Sequence, residues 1–126
     1  MPRRIITTAN APTSPMYSQA VVGGQNVFVS GTVGIDPATG SLAGETIQEQ
    51  TRQALLNCRA ILEAAGASLD DVVEVGALLT DPSDFNGFNE EYARWFPVDP
   101  PSRYAAKLGV DLPGLLVSIR MTAYVG

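Results

Sequence analysis

The residue best suited to binding or catalysis is Arg103, which follows Pro100, Pro101 and Ser102 near the carboxyl end of the chain. The two prolines fix the backbone and remove two N–H donors, so this run cannot be helical. A guanidinium group is always charged and presents a planar fork of donors that matches a carboxylate. Arg103 is therefore a candidate for binding a carboxylate, and the alternative is an ordinary surface arginine beside a proline-rich loop.

The composition excludes several kinds of catalytic site. Histidine is absent, and Cys58 is the only cysteine. These counts exclude intramolecular disulfides, zinc sites built from His and Cys, Cys–His nucleophiles and Ser–His–Asp triads. Cys58 lies in the apolar stripe of a predicted helix, which favours a buried core thiol over a nucleophile. We expect neither a metal nor a cofactor.

Length and charge narrow the class of protein further. The chain has 126 residues, with 8 basic and 13 acidic side chains and a net charge of −5. This length predicts a single domain over residues 1–126, and the negative charge disfavours binding to nucleic acid. The apolar run at residues 5–6 is too short for a signal peptide, and no run approaches the ~20 apolar residues that span a membrane. We expect a cytoplasmic protein with no membrane partner.

One long helix is the clearest element that the sequence predicts. Thr46 and Glu49 form a capping box, apolar residues recur at helical spacing over residues 46–65, and Gly66 ends the pattern. A second helix is predicted after Asp81, which caps it with Pro82 at its first position. Its apolar stripe, expected in the core, consists of Phe85, Phe88, Tyr92 and Phe96.

Short β-favouring segments surround these helices. They cover residues 3–7, 17–22, 26–30, 72–79, 104–110 and 115–125, and Gly31 is expected to end the third of them. The order β β β α β α β β predicts an α+β fold, a mixed sheet with both helices packed on one face. Because the strands are apolar on both sides, we expect the uncovered face to be buried against other subunits.

Polar residues stand at the boundaries of four of these segments, and together they carry a resemblance. The matching residues, in chain order, are Asn10, Ala11, Pro12, Tyr17, Ser18, Gln19, Ala20, Val29, Ser30, Gly31, Asp36, Pro37, Thr39, Gly40, Gln50, Ala54, Asn57, Ala64, Ala65, Gly66, Asp71, Val72, Val73, Asp84, Phe85, Phe88, Asn89, Tyr92, Phe96, Pro101, Ser102, Arg103, Leu112 and Pro113. As an ordered set that runs nearly end to end, they resemble the Rid family, the reactive-intermediate deaminases also called YjgF-like proteins.

The resemblance implies a chorismate-mutase-like fold, assembled as a homotrimer with sites in the clefts between subunits. It also implies hydrolysis of enamines and imines such as 2-aminoacrylate to 2-keto acids and ammonia. In this resemblance Arg103 holds the carboxylate of a small-molecule substrate. The pocket is lined by Tyr17, Ser30, Asn89 and backbone groups around Gly31. Such chemistry needs no histidine and no metal, because an imine is already electrophilic and needs mainly to be oriented towards water.

Four positions depart from the family pattern. Ser118 stands where deaminating members usually have a glutamate, and Arg120 stands where an acidic residue is common. Thr32 follows Ser30 and Gly31 where many members have a glutamine, and Ala105 replaces a frequent cysteine. A serine hydroxyl cannot act as a base near neutral pH, although Ser118 can hydrogen-bond a water molecule in the pocket.

Alternative functions and structural roles therefore stay open. The chain could be a non-catalytic trimeric binder of small carboxylates, whereas ribonuclease activity is disfavoured by the net charge of −5 and by scattered basic residues. Structural alternatives exist for the site residues as well: Tyr17 packing at an interface, Asn89 bonding within the protein, and Ser118 filling a strand.

Overall fold

The computed structural model describes residues 2–126, which form ten regular elements. In chain order they are β1 Arg4–Ile6, β2 Ala20–Gly23, β3 Asn26–Val33, β4 Ile35–Asp36, β5 Ser41–Leu42, α1 Ile47–Ala64, β6 Val72–Leu79, α2 Phe85–Trp95, β7 Ser102–Lys107 and β8 Val117–Tyr124. Two short 3₁₀ turns precede β6 and α2, at Leu69–Asp71 and Pro82–Asp84.

Six of the strands form one mixed sheet in the order β1-β2-β3-β8-β6-β7. All neighbours are antiparallel except β6 and β7, which are parallel because α2 crosses over between them. Alternate residues of the central strands, such as Val75 and Ile119, are fully buried in the same hydrophobic core as the α1 stripe and Phe88 of α2. The predicted α+β fold with two helices on a mixed sheet is confirmed.

Helix α1 begins and ends as its sequence pattern predicts. The Thr46 hydroxyl accepts a hydrogen bond from the Glu49 N–H at 3.1 Å, and the Thr46 N–H donates to the Glu49 carboxylate at 3.2 Å. Gly66 follows the last turn at a φ of +82°, a conformation that side chains disfavour. Cys58 is fully buried in the apolar stripe, and this burial raises the pKa of its thiol to about 12. Cys58 is therefore a core thiol, as expected.

Several strand boundaries differ from the prediction, and β2 begins at Ala20 rather than at residue 17. Strand β3 does not end at Gly31 but continues to Val33, with an irregular register against β8 between Val29 and Thr32. The extra residue of this bulge lets the strand pass the glycine without losing its pairing. The fifth predicted segment, 104–110, is also wrong at both ends, because β7 begins at Ser102 and ends at Lys107. A strand pairing that fixes these limits, Glu74 to Ser102, is not visible in local sequence.

The start of α2 was also predicted too early. The Asp81 carboxylate accepts a hydrogen bond from the Ser83 N–H at 2.9 Å, so it caps a 3₁₀ turn and α2 starts at Phe85. Helical spacing placed Phe85 in the core with Phe88 and Tyr92, but its side chain is 40% exposed. Phe85 lies in the first turn of α2, where the helix extends beyond the core and faces strand β7.

The face of the sheet opposite the helices is open in a single chain. Large side chains on this face are exposed, among them Phe28, Tyr104 and Tyr124, and every residue of edge strand β7 is exposed. Arg120 lies on the same face, where it forms an ion pair with Glu74 at 3.2 Å. Covering this surface by other subunits stays a prediction.

Residues 2–126 contain no helix that is both long enough and apolar enough to span a bilayer.

Candidate functional site

The edge strand β7 and helix α2 bring Arg103 and Asn89 together. In the parallel register Arg103 lies opposite Val75, whose buried side chain faces the helices, so Arg103 also projects towards the helical layer. There its guanidinium donates a hydrogen bond from one terminal nitrogen to the Asn89 Oδ1 at 2.7 Å. The structure thus joins two predicted site residues that are fourteen positions apart.

Three aromatic rings of α2 form a support for the same guanidinium. Its carbon lies 4.8 Å from the ring centre of Tyr92, 5.5 Å from Phe88 and 5.6 Å from Phe85. The faces of aromatic rings attract cations, so these contacts fix the position of the charge without neutralising it. This role explains the exposure of Phe85, which packs against Arg103 rather than against the core.

Arg103 forms no ion pair with an acidic side chain of residues 2–126. Within residues 2–126 the two ion pairs join Arg94 to Glu91 and Arg120 to Glu74, and neither involves Arg103. The pKa of Tyr92 is raised mainly by burial, against a smaller opposing effect of the Arg103 charge, so the phenol beneath the guanidinium stays neutral near neutral pH. An exposed, oriented and unneutralised guanidinium is suited to binding an anionic group.

The other predicted site residues lie together in a separate cleft. Tyr17, Ser30, Gly31 and Ser118 line a cleft of about 380 Å³. Its remaining walls are apolar and come from β3 and the loop before β8: Val33, Leu108, Val110, Leu112 and Leu115. This cleft offers hydroxyl groups and backbone, but no ionisable acid or base among its described lining residues other than the Tyr17 phenol.

Gly31 and Ser118 are in close contact within this cleft. A Cβ atom at position 31 would lie 3.0 Å from the Ser118 hydroxyl oxygen, a tight contact. The absence of a side chain therefore keeps the backbone of β3 open beside this hydroxyl. Ser30 is held by the loop before β2, because its hydroxyl donates to the Ser18 carbonyl at 2.6 Å and its N–H donates to the Gln19 carbonyl at 2.9 Å.

Buried amides position the loops that carry these residues. Gln19 is 5% exposed, and its side chain accepts from the Thr8 N–H and donates to the carbonyl groups of Ala11 and Pro12. Gln50 of α1 donates to the Gly114 carbonyl at 2.8 Å and accepts from the Leu116 N–H at 2.9 Å, which fixes the start of β8. The positioning role of these two glutamines was not predicted from the sequence. A polar residue inside the buried stripe of a helix was the signal that could have revealed Gln50.

The two groups of residues do not meet within one chain. Arg103 projects from the helical face of the sheet, whereas Ser118 pairs with Leu78 on the open face. They also lie two strands apart, on β7 and β8, with β6 between them. Within one chain, Arg103 and Asn89 therefore lie apart from the cleft of Tyr17, Ser30, Gly31 and Ser118.

Comparison with known proteins identifies the class. The family model described as endoribonuclease L-PSP matches residues 8–125. The human 2-iminobutanoate/2-iminopropanoate deaminase is 38% identical over 125 residues, which cover 98% of this chain and 91% of the human protein. Sequence identity of this size over nearly the whole chain indicates a common family and not only a shared fold. The matched relatives include proteins named as imine deaminases.

Solved structures agree with this assignment. A Rid family protein of unknown function from Yersinia pestis has a TM-score of 0.92 at 33% identity, covering 98% of this chain and 100% of that chain. The Escherichia coli protein TdcF, solved with bound serine, has a TM-score of 0.89 at 32% identity, covering 98% and 99% of the two chains. This chain belongs to the Rid family, as its sequence pattern predicted.

Proposed function

We propose that this protein hydrolyses reactive 2-imino acids and their enamine tautomers, of the 2-aminoacrylate type, to 2-keto acids and ammonia. The observation that carries this proposal is the Arg103 guanidinium, which Asn89 and three aromatic rings hold in place and which pairs with no carboxylate of residues 2–126. Family membership and the deaminase names of its relatives support the reaction class.

In the proposed reaction Arg103 binds the substrate carboxylate and fixes the position of the adjacent C=N bond. Water adds to the imine carbon while the nitrogen gains protons, and the C–N bond then breaks to leave the ketone and ammonia. A charge-assisted hydrogen bond contributes about 1.5–3 kcal/mol, and each ~1.4 kcal/mol realised in the transition state is worth about tenfold in rate. The remaining rate acceleration comes from orienting the imine, which is already an electrophile, towards water.

We further propose that the complete site forms between subunits of a homotrimer. Arg103 and Asn89 lie on the helical face at the free edge strand, whereas the cleft of Tyr17, Ser30, Gly31 and Ser118 opens elsewhere. A second copy that packs against β7 would place its own cleft beside Arg103. The substrate carboxylate would then bind one subunit, and its reacting carbon would face the hydroxyl groups of the next.

Ser118 supports a second candidate function. A hydroxyl group can hydrogen-bond the attacking water but cannot accept its proton near neutral pH, so the usual carboxylate role is missing at this position. A trimeric binder of small carboxylates would use the same Arg103 without accelerating hydrolysis. The ribonuclease name of the family model receives no comparable support, since the net charge of −5 opposes binding of a polyanion.

A coupled assay separates these functions. An L-amino acid oxidase generates 2-imino acids in the presence of semicarbazide, and the rate of semicarbazone formation is compared for wild type, Arg103→Ala and no protein. Imine hydrolysis predicts that wild type alone suppresses the semicarbazone, while circular dichroism shows Arg103→Ala to be folded. Equal semicarbazone in all three, together with 2-keto acid binding by wild type, would instead establish the carboxylate binder.

A further inference from the structure

A second cleft adjoins Arg103 in the same chain. It has a volume of about 420 Å³ and is lined by Leu79, Pro82, Phe85, Ala105, Ala106 and Lys107. Phe85 belongs to both places, because its ring lies 5.6 Å from the Arg103 guanidinium carbon and also forms one wall of the cleft. The cleft therefore lies beside the ring that also contacts Arg103.

The geometry of strand β7 also connects Arg103 with this cleft. Arg103 and Ala105 are two residues apart on β7, so their side chains project to the same face of the strand. A ligand held by Arg103 that extends along β7 meets the Ala105 methyl group next. Ala105 is small and exposed, and it leaves the space between β7 and the first turn of α2 open.

The lining of the cleft is hydrocarbon over most of its surface. Leu79 is 4% exposed and forms a buried floor, while Phe85, Pro82 and the two alanines supply the walls. Lys107 is the one charged residue of the six, and it lies at the end of β7, four positions beyond Arg103. Cavities of several hundred Å³ with such a lining typically bind apolar groups of small ligands.

We propose that this cleft binds an apolar side chain of the 2-imino acid whose carboxylate is held by Arg103, an inference that rests on the proposed function. The protein then selects imines with branched or aromatic side chains over 2-iminopropanoate and 2-aminoacrylate. Ala105 is the specificity-determining residue, because its size sets the room between β7 and Phe85. Each additional methylene group that a pocket buries discriminates by about 10- to 200-fold, so the preference is large enough to measure.

The test compares kcat/KM for imines generated by amino acid oxidases from L-alanine, L-leucine, L-phenylalanine and L-glutamate. Wild type is expected to act on the leucine- or phenylalanine-derived imine at least about tenfold better than on the alanine-derived one. Ala105→Leu is expected to abolish this ratio, and Ala105→Val to reduce it. Ala105→Ser, which has nearly the same size, retains most of it. Ala38→Leu makes the same chemical change at an exposed turn and is the matched control.

Several results would overturn the inference. A ratio that Ala105→Leu and Ala105→Val leave unchanged in folded protein would show that the cleft does not hold the side chain. Highest activity on the glutamate-derived imine would mean that the Lys107 charge, rather than the apolar lining, selects the substrate. Size-exclusion chromatography of each variant shows whether its assembly is intact, so a loss of assembly is not mistaken for a change of specificity.

Failure of the proposed function gives a different pattern. If wild type accelerates no imine hydrolysis, the deamination proposal fails, and the cleft is then tested by calorimetry with 4-methyl-2-oxopentanoate, pyruvate and 2-oxoglutarate. Tighter binding of the branched keto acid, reversed by Ala105→Leu, would support the apolar cleft without catalysis. Equal binding of the three acids would overturn it.

Discussion

At the scale of single residues, Arg103 differs from an ordinary surface arginine in how completely its surroundings fix it. One terminal nitrogen is hydrogen-bonded to Asn89, and three rings lie within 6 Å of its carbon, yet no carboxylate in residues 2–126 pairs with it. A side chain that is ordered in advance loses less conformational entropy when it binds a ligand. The geometry therefore favours binding of a planar anion in one orientation.

Arg103→Lys should reduce kcat/KM by about 10- to 150-fold, the equivalent of losing roughly 1.5–3 kcal/mol of bidentate hydrogen bonding. The ammonium group keeps the positive charge but offers no planar fork, and it is too short to cover the rings in the same way. Steady-state kinetics on one imine measure the effect, with Arg52→Lys on the exposed side of α1 as the control. Unchanged kcat/KM in Arg103→Lys would mean that charge alone is sufficient.

Asn89→Asp tests whether the side chain that holds Arg103 must be uncharged for a carboxylate ligand to bind. A carboxylate at this position would form an internal ion pair with the guanidinium and compete with the substrate carboxylate. We expect KM and the Kd for 2-keto acids to rise strongly, and Asn89→Ala to have a smaller effect. Titration calorimetry gives the Kd values, with Asn10→Asp in an exposed turn as the control. Tighter binding by Asn89→Asp would exclude a carboxylate ligand on Arg103.

At the scale of elements, the sequence was most informative where local interactions decide the structure. The Thr46–Glu49 capping box and Gly66 define α1 by hydrogen bonds within a few residues, and both of its ends were predicted correctly. The bulge at Gly31 and the limits of β7 depend on pairing with distant strands, so local patterns misplaced them. Phe85 was misplaced for the same reason, since its partner Arg103 lies on another element.

The family resemblance predicted that Arg103 and Asn89 belong to one site. It did not predict how the two side chains are arranged. Both residues were expected near a pocket, while the aromatic support and the opposite placement of Ser118 depend on strand order and register. Helical spacing grouped Phe85, Phe88 and Tyr92 correctly on one stripe. It could not show that the stripe continues from the core onto the guanidinium of a neighbouring strand.

The capping box makes a pH-dependent contribution to stability. Hydrogen bonds from the side chain and then from the backbone N–H of Thr46 lower the pKa of Glu49 in the folded protein. A lowered folded-state pKa stabilises the fold above the unfolded value of about 4.3, and the contribution is lost as the pH falls through the folded pKa. Glu49→Gln should therefore lower Tm at pH 7 and make little difference at pH 3.

Thermal melts at one protein concentration measure this difference. Glu63→Gln, an exposed change near the carboxyl end of the same helix, serves as the control, and it should not reproduce the loss at pH 7. A Glu49→Gln deficit of equal size at both pH values would mean that packing of the side chain, rather than its ionised hydrogen bonds, stabilises the start of α1.

At the scale of the whole molecule, one chain carries two groups of proposed site residues, here called half-sites, that face different directions. Arg103 and Asn89 lie on the helical face at an unpaired edge strand, and the cleft of Tyr17, Ser30, Gly31 and Ser118 is separated from them by the sheet. The open sheet face carries exposed aromatic side chains such as Phe28 and Tyr124. Association of identical chains would cover this face and join the half-sites in one arrangement.

Complementation between two inactive variants tests this account most directly. Arg103→Ala removes the proposed carboxylate-binding group, and Gly31→Val fills the cleft of Tyr17, Ser30, Gly31 and Ser118. The two proteins are unfolded together, refolded as a mixture and assayed for imine hydrolysis, beside each variant refolded alone. If each site takes one half from each of two subunits, random mixing restores about a quarter of the wild-type activity, since each half is intact with even odds. A mixture as inactive as the separate variants would contradict a shared site, and an active Arg103→Ala alone would contradict the role of Arg103.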